Sequence, residues 1–511
     1  MKKFITFALL LVSALALVAC GKVDTSNTLI VANGAEPVTF DIQATNDQAT
    51  TRVSVQIYET LVRQTSDLEL VPGLATSWAP VDGEENTYLF TLRDDVTFHN
   101  GEKFTSKDVE YTMRRAAASS TISHIVGTLD VDKIEIVSEY QIKLGTKTPF
   151  GPFITHLAHP ATGILNEKAV VDGGADYGTK SPVGTGPYKF DTWVSGEKLL
   201  LSRYEGYYGT AALTEKVEFR FIKESGQRVI GLENGEIDIA FDISPSDFGS
   251  IKQNNSLTLL NTSNLGAEYL GLNQANNPYL KDKNVRKAIA HMIDVPQIIE
   301  TVYQGVGSPM SGPINEFVFG FNTSLQAYNH NETLAREFLA QSAWPTGGFT
   351  LRLYVGDNSA ERIRVAQIVQ AQLQKLGINV TLTQLAWSAF LAETAKGADS
   401  LADLFPLGWT TVTGDGDYGL YPLFHSESTP AAGNRVGYAN AQVDTYLELG
   451  RTSNNQDERK AAYQAAQVII NDELPWVFLQ TRENVTAYSN NIKGFAHHPT
   501  GSYLLSGVSK K

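Results

Sequence analysis

Hydrophobic and polar positions along this chain follow two rhythms, one of period two and one of period 3.6, and their succession predicts the elements. The run Thr28-Leu29-Ile30-Val31-Ala32 reads as a first strand, and Asn33-Gly34-Ala35-Glu36-Pro37 turns the chain toward Phe40-Asp41 and the polar Asn46-Asp47-Gln48. Val53, Ile57 and Leu61 are spaced for a helix over residues 53–63, and residues 71–78 read as a loop. Tyr88, Phe90 and Leu92 share one face of a strand. Thr105-Ser106-Lys107-Asp108 has capping-box spacing ahead of Val109, Met113 and Ala117, so a helix starts there. Residues 130–145 read as a hairpin that turns at Ser138-Glu139.

A Pro/Gly-rich loop over residues 181–190 leads into strands at 198–202, 217–222 and 237–243. In the last of these Ile237, Ile239, Phe241 and Ile243 alternate with Asp238, Ala240 and Asp242, so one face is buried. The texture changes around Tyr269-Leu270-Gly271-Leu272-Asn273. Val285, Ile289, Met292 and Ile293 form one apolar helical face. Ile363, Ala366, Val369, Leu373 and Leu376 form another, stopped by Gly377 and followed at once by a strand over 378–382. Helix, glycine and strand in that order are typical of an α/β lobe. Residues 468–479 return through Pro475-Trp476. With no internal repeat and no low-complexity linker, the lobes are expected to be joined by more than one crossing.

The first residues follow a different plan. Lys2 and Lys3 precede residues 4–19, which are apolar apart from Thr6 and Ser13: the layout of a signal peptide over residues 1–19. Leu17-Val18-Ala19 leads to Cys20, the single cysteine, at the place where a bacterial lipoprotein carries its lipid. Residues 20–27 then form a polar tether, and the expected location is the extracytoplasmic face of the cell membrane. A lone cysteine leaves no disulfide, no thiol pair and no cysteine-ligated metal. About 490 residues remain, with no further apolar run of membrane length, which suggests two or three domains. A net charge of −14 repels phosphate backbones, and no basic stripe interrupts it, so nucleic acid is not an expected partner. The 6 Trp, 21 Tyr and 23 Phe can supply rigid contact area for a ligand as well as core.

Four motifs follow one another in order: Pro72-Gly73-Leu74-Ala75-Thr76-Ser77-Trp78; Phe90-x-Leu92-Arg93-x-x-Val96-x-Phe98-His99-Asn100-Gly101 with Asp108-Val109; Pro182-x-Gly184-Thr185-Gly186-Pro187-Tyr188; and Val285-Arg286-Lys287-Ala288-Ile289 with Asp294. Together they resemble the signatures of the extracellular solute-binding proteins of peptide and nickel ABC importers. The resemblance implies a two-lobed α/β fold of the periplasmic-binding-protein type II kind, with an extra subdomain inserted in the first lobe. Lobe I would take residues 28–55, 182–268 and 481–511, the inserted subdomain 56–181, and lobe II 269–480. It also implies a monomer without cofactor that closes over a small peptide and hands it to a permease and ATPase complex.

The stretch expected to touch ligand is residues 408–420. Peptide-binding members carry Trp-x-x-Asp at the similar place, where the carboxylate holds the ligand's ammonium; here Val412 stands three after Trp409. The form Trp409-Thr410-x-x-Thr413-Gly414-Asp415-x-Asp417, with Gly433-Asn434-Arg435 further on, is more similar to the glutathione-binding branch. A zwitterionic guest needs an acid for its amine and Arg or backbone donors for its carboxylates, since enclosing either unpaired costs roughly several kcal/mol. Asp415 or Asp417 would supply the first and Arg435 the second. Trp409 and Tyr418 would pack on the ligand, and Asn46 would line the opposite wall. As plain residues, Asp415-Gly416-Asp417 is also a polar turn and Trp409 a core ring.

Other matches fail on chemistry. Gly414-x-Gly416-x-x-Gly419 would put acids against a pyrophosphate, and a calcium loop starting at Asp415 has Gly419 and Ser426 where ligands are required. His156 with His159, and His497 with His498, lack a third metal ligand, so no metal site is expected. A nickel chelate or a peptide pheromone stays an alternative ligand. A secreted hydrolase using Asp415/Asp417 or Glu84/Glu85 is the competing class, but no nucleophile elbow or His-Glu-x-x-His accompanies those acids.

Overall fold

The computed structural model describes residues 27–511 except 46, 120, 276 and 430–432. The signal segment, Cys20 and Asn46 therefore lie outside the described residues.

Ten strands form one mixed sheet. They are β1 (Thr28–Asn33), β2 (Tyr188–Val194), β3 (Lys198–Arg203), β4 (Lys216–Phe221), β5 (Ile239–Phe241), β6 (Leu257–Leu272), β7 (Thr350–Gly356), β8 (Asn379–Leu385), β9 (Leu404–Thr410) and β10 (Trp476–Ser489). Their spatial order is β8-β7-β9-β6-β10-β5-β1-β4-β3-β2. The central antiparallel pair, β6 and β10, is 16 and 14 residues long and belongs to both lobes. Its outer half, residues 257–263 against 483–489, continues the β1–β5 side, and its inner half, from Ala267 against Thr481, continues toward β9. Between the halves the register breaks at Ser263/Ala267 and again at Glu268/Tyr269. A ribbon of two strands with a broken ladder at its middle is where two rigid bodies joined twice can rotate.

Each side has its own apolar core. Leu29, Val31, Phe219 and Phe241 centre one, and Leu270, Ile289, Leu353, Val369 and Trp476 centre the other. A third core, with Phe90, Phe98, Met113 and Ile142, fills a subdomain built on a four-stranded sheet of Ala75–Pro80, Thr87–Leu92, Gln141–Thr146 and Leu129–Ser138. Its helix Ser106–Ala118 starts at the Thr105/Asp108 capping box, and its last two strands form the hairpin expected from alternation.

Three local expectations are corrected by tertiary hydrogen bonding. The helix after the first strand is α1 (Gln48–Ser54), capped by Asp47, and does not run over residues 53–63. Gly186 and Tyr188 claim the carbonyls of Ile57 and Gln56, and Gly73 and Ala75 claim that of Leu61. The approach needs glycine: a Cβ on Gly184 would stand 2.0 Å from the Ile57 oxygen. Residues 71–78 are two strand segments interrupted at Gly73 rather than a loop. Of residues 237–243 only 239–241 form regular strand, because Asp242 takes φ +54, although Asp238 and Ile243 still bond to Ile30 and Val485.

Lobe II adds α2 (Ala360–Gln374), α3 (Gly416–Phe424), α4 (Ala441–Thr452) and α5 (Gln456–Glu473). Past α2, Gly377 takes φ +76 and turns the chain directly into β8, as the sequence order predicts.

Candidate functional site

Where β6, β9 and β10 leave the hinge, a cavity of about 530 Å³ opens between α1 and lobe II. Gln48 lines it from α1, and Tyr269, Arg362, Trp409, Arg435 and Arg482 line it from the other side, with Trp387 among them. The three guanidiniums come from distant segments: Arg362 from the first turn of α2, Arg482 from β10 and Arg435 from the loop before α4.

One carboxylate meets them. Glu268 on β6 accepts from Arg362 at 3.0 Å (Nε to Oε2) and 2.8 Å (Nη2 to Oε1), and Arg482 Nε lies 3.2 Å from its Oε1. Burial works to raise the Glu268 carboxyl, but Arg362 and Arg482 outweigh it and hold it below the usual carboxylate range. Gly408, opposite Glu268 in the ladder, makes room for this pairing. A Cβ there would stand 2.7 Å from Glu268 Oε1 and 2.9 Å from Arg362 Nη2.

Arg435 is held differently. Its Nη1 donates to the Leu391 carbonyl at 2.7 Å and the Thr394 hydroxyl at 2.8 Å, both neutral acceptors. Burial pulls its pKa down, with nearby Tyr269 partly opposing. Among the described residues no carboxylate pairs with Arg435, and such a half-buried guanidinium is set to accept an anion from a ligand.

Of the residues singled out from sequence, the structure brings Trp409 and Arg435 into this cavity and places the acids elsewhere. Asp415 caps α3 through the Asp417 N–H and receives Arg459 Nη2 on both oxygens, at 2.7 and 2.8 Å. Asp417 faces Arg451 at 2.8 and 3.1 Å. At 3 % and 2 % exposure both acids are consumed inside lobe II, so neither is free to take a ligand's ammonium. Tyr418 packs its ring against Trp409, whose indole N–H donates to the Tyr418 carbonyl at 3.0 Å; it supports the wall rather than lining it. Sequence reading missed Arg362, Arg482 and Tyr269. The signals present were an arginine beside an apolar helical face and a tyrosine beside an acid in a buried strand.

Val412 lines a second cavity of about 340 Å³, with Glu59, Arg63, Tyr207 and His498. Glu59 accepts from Tyr207 and Tyr208 at 2.9 Å and from Thr185 at 3.1 Å, yet burial still pushes its pKa up. The subdomain also touches lobe II directly. Gln64 Nε2 donates to the Thr413 carbonyl at 2.8 Å and Gly151 N donates to the Arg451 carbonyl at 2.8 Å. Among the described residues no group of three or more His, Cys, Asp or Glu side chains could hold a metal ion.

Comparison with known proteins follows the same outline. The family profile described as "Bacterial extracellular solute-binding proteins, family 5 Middle" matches residues 69–430. A glutathione-binding protein, GsiB of Escherichia coli O157:H7, is 30% identical over 475 residues, 91% of each chain. The solved structure of HbpA2 from Haemophilus parasuis superposes with a TM-score of 0.84 at 27% identity, covering 95% of this chain and all of the other. DppA of Helicobacter pylori, a periplasmic binding protein solved in complex with the peptide STSA, gives 0.79 at 27% identity, over 94% and 98%.

Proposed function

Given that the chain belongs to the family 5 bacterial extracellular solute-binding proteins and has their type II periplasmic binding fold, we propose that its interlobe cleft captures a small peptide with more than one carboxylate, glutathione first and short peptides second. It serves an ABC importer as the solute-binding component, delivers its guest to the permease, and is held outside the membrane by lipid on Cys20. The relatives at 30% identity carry the name glutathione-binding protein, and a neighbouring structure holds a tetrapeptide; both support this ligand class.

The observation that carries the reading is a charge count. Three arginines line the cavity and Glu268 offsets one of them, which leaves two positive charges for the ligand to neutralise. Each of glutathione's two carboxylates can pair with one of those guanidiniums, its ammonium bringing the ligand's own net charge to −1, and Trp409 and Trp387 supply the apolar walls. Enclosing those charges without a guest's anions would cost several kcal/mol, about the scale on which a cleft chooses between ligands.

Titration calorimetry with glutathione, its disulfide, a dipeptide panel and nickel tests the assignment. One-to-one saturable binding of glutathione, or of a short peptide with a second carboxylate, is expected. Binding confined to peptides longer than four residues, or to cationic ligands, overturns it.

A further inference from the structure

Resting on that reading, the structure adds one group that neither the sequence motifs nor the relatives' names assign. Tyr269 lies on β6, paired with Leu407 of β9 and Phe478 of β10, and is 2 % exposed. Its ring stacks on Trp476 at 3.5 Å between centroids with 2° between planes, so its direction is fixed by packing. It lines the cavity together with Arg362 and Arg435. Among the described residues its hydroxyl has no hydrogen-bond partner, although buried phenols elsewhere in the molecule, such as Tyr58 and Tyr188, are paired.

Tyr269 lines the cavity, so a ligand held there can supply the acceptor that its hydroxyl lacks. Arg362 and Arg435 both stand near enough for their charges to act on the hydroxyl, opposing the burial that raises its pKa. Those charges favour an anionic acceptor over a neutral one. Arg362 is already committed to Glu268, whereas Arg435 meets only neutral oxygens.

We propose that Tyr269 is a specificity-determining residue: its hydroxyl and the Arg435 guanidinium form one anion subsite that holds a single carboxylate of the ligand and selects it over the corresponding carboxamide. The tyrosine donates its O–H and the arginine supplies charge and N–H, so the pair reads both the negative charge and the position of the oxygen. Rigid stacking on Trp476 means the donor is oriented before the ligand arrives, which spares ordering cost on binding.

Tyr269→Phe removes the hydroxyl and keeps the stacked ring. Wild type and variant are titrated with glutathione and with its two monoamides, one at each carboxyl, and both proteins are melted. The expected result is at least a tenfold loss for glutathione in the variant, less than threefold loss for one of the monoamides, and melting temperatures within about a degree. Equal affinity of the two proteins for glutathione, or an equal loss for glutathione and both monoamides, overturns the assignment of Tyr269 while leaving the proposed ligand standing. Wild-type protein that binds neither glutathione nor any dipeptide of the panel overturns the ligand reading itself, and the subsite falls with it.

Discussion

Asp417 and Arg451 face each other inside lobe II, Oδ1 to Nε at 2.8 Å and Oδ2 to Nη2 at 3.1 Å, with the guanidinium lying 3.3 Å from the centre of the Tyr421 ring. A carboxylate held on both oxygens by a neighbour in its own lobe is a structural group. Removing one partner of such a buried pair strands the other, at roughly 3–5 kcal/mol. Asp417→Asn is therefore expected to lower the melting temperature by several degrees and to leave glutathione affinity within threefold. Asp415→Asn, which strands the more deeply buried Arg459, should be more damaging still. Unchanged melting with a tenfold loss of affinity would return the acid to the ligand.

Arg435 carries the opposite expectation. Its acceptors are neutral, so Arg435→Gln leaves no buried carboxylate unpaired and should change the melting temperature little. Calorimetry should show at least a tenfold loss for carboxylate-bearing ligands, because a charged hydrogen bond is worth about 1.5–3 kcal/mol.

Gly408 is expected to be intolerant of any side chain. A Cβ would meet Glu268 Oε1 at 2.7 Å, the Ala267 oxygen at 2.9 Å and Arg362 Nη2 at 2.9 Å. Gly408→Ala should lower both stability and affinity, since the same displacement loosens the hinge strand and moves an arginine of the cavity wall. Normal behaviour of this variant in both assays would mean that the pair has slack.

Closure is open to test through Gly151. A Cβ there would stand 2.3 Å from the Ser453 oxygen and 2.8 Å from Arg459 Nε across the lobe contact, next to Phe150 and Phe153 of the subdomain's core. Gly151→Ala should weaken ligand binding and enlarge the radius of gyration in small-angle scattering, with a lower melting temperature because Arg459 must shift from Asp415. An unaltered radius with unaltered affinity would remove this contact from the closing motion.

Acid should destabilise the fold. Burial pulls His99 and His497 down to about 4 from an ordinary 6.5, despite a backbone contact to Gly186 in the first case. Between about pH 6.5 and pH 4 the unfolded chain takes up protons that these folded histidines refuse, so stability falls as the pH drops through that window. Asp108, pushed up to about 6 by burial, and Glu59, also raised, work the other way, but burial lowers His156 and His498 as well, which makes four histidines against two acids. Melting temperatures measured from pH 7.5 to 4.5 should decline, less steeply in His497→Gln.

The sequence by itself determined what is local or linear in this protein. The capping box at Thr105, the hairpin at Ser138-Glu139 and the helix that Gly377 stops each depend on neighbours a few residues away, and ordered motifs sufficed for the family resemblance. It also placed Trp409 and Arg435, which line the cavity. Tertiary structure alone decided which charges are free. Asp415 and Asp417 look available in a polar turn until Arg459 and Arg451, more than thirty residues away, close on them. Arg362, Arg482 and Tyr269 carry only weak local marks in sequence, because their joint chemistry arises where a helix, the hinge strands and a loop converge on one desolvated space. In that space the energy of a charge depends on what lies within a few ångströms, and distance along the chain does not report it.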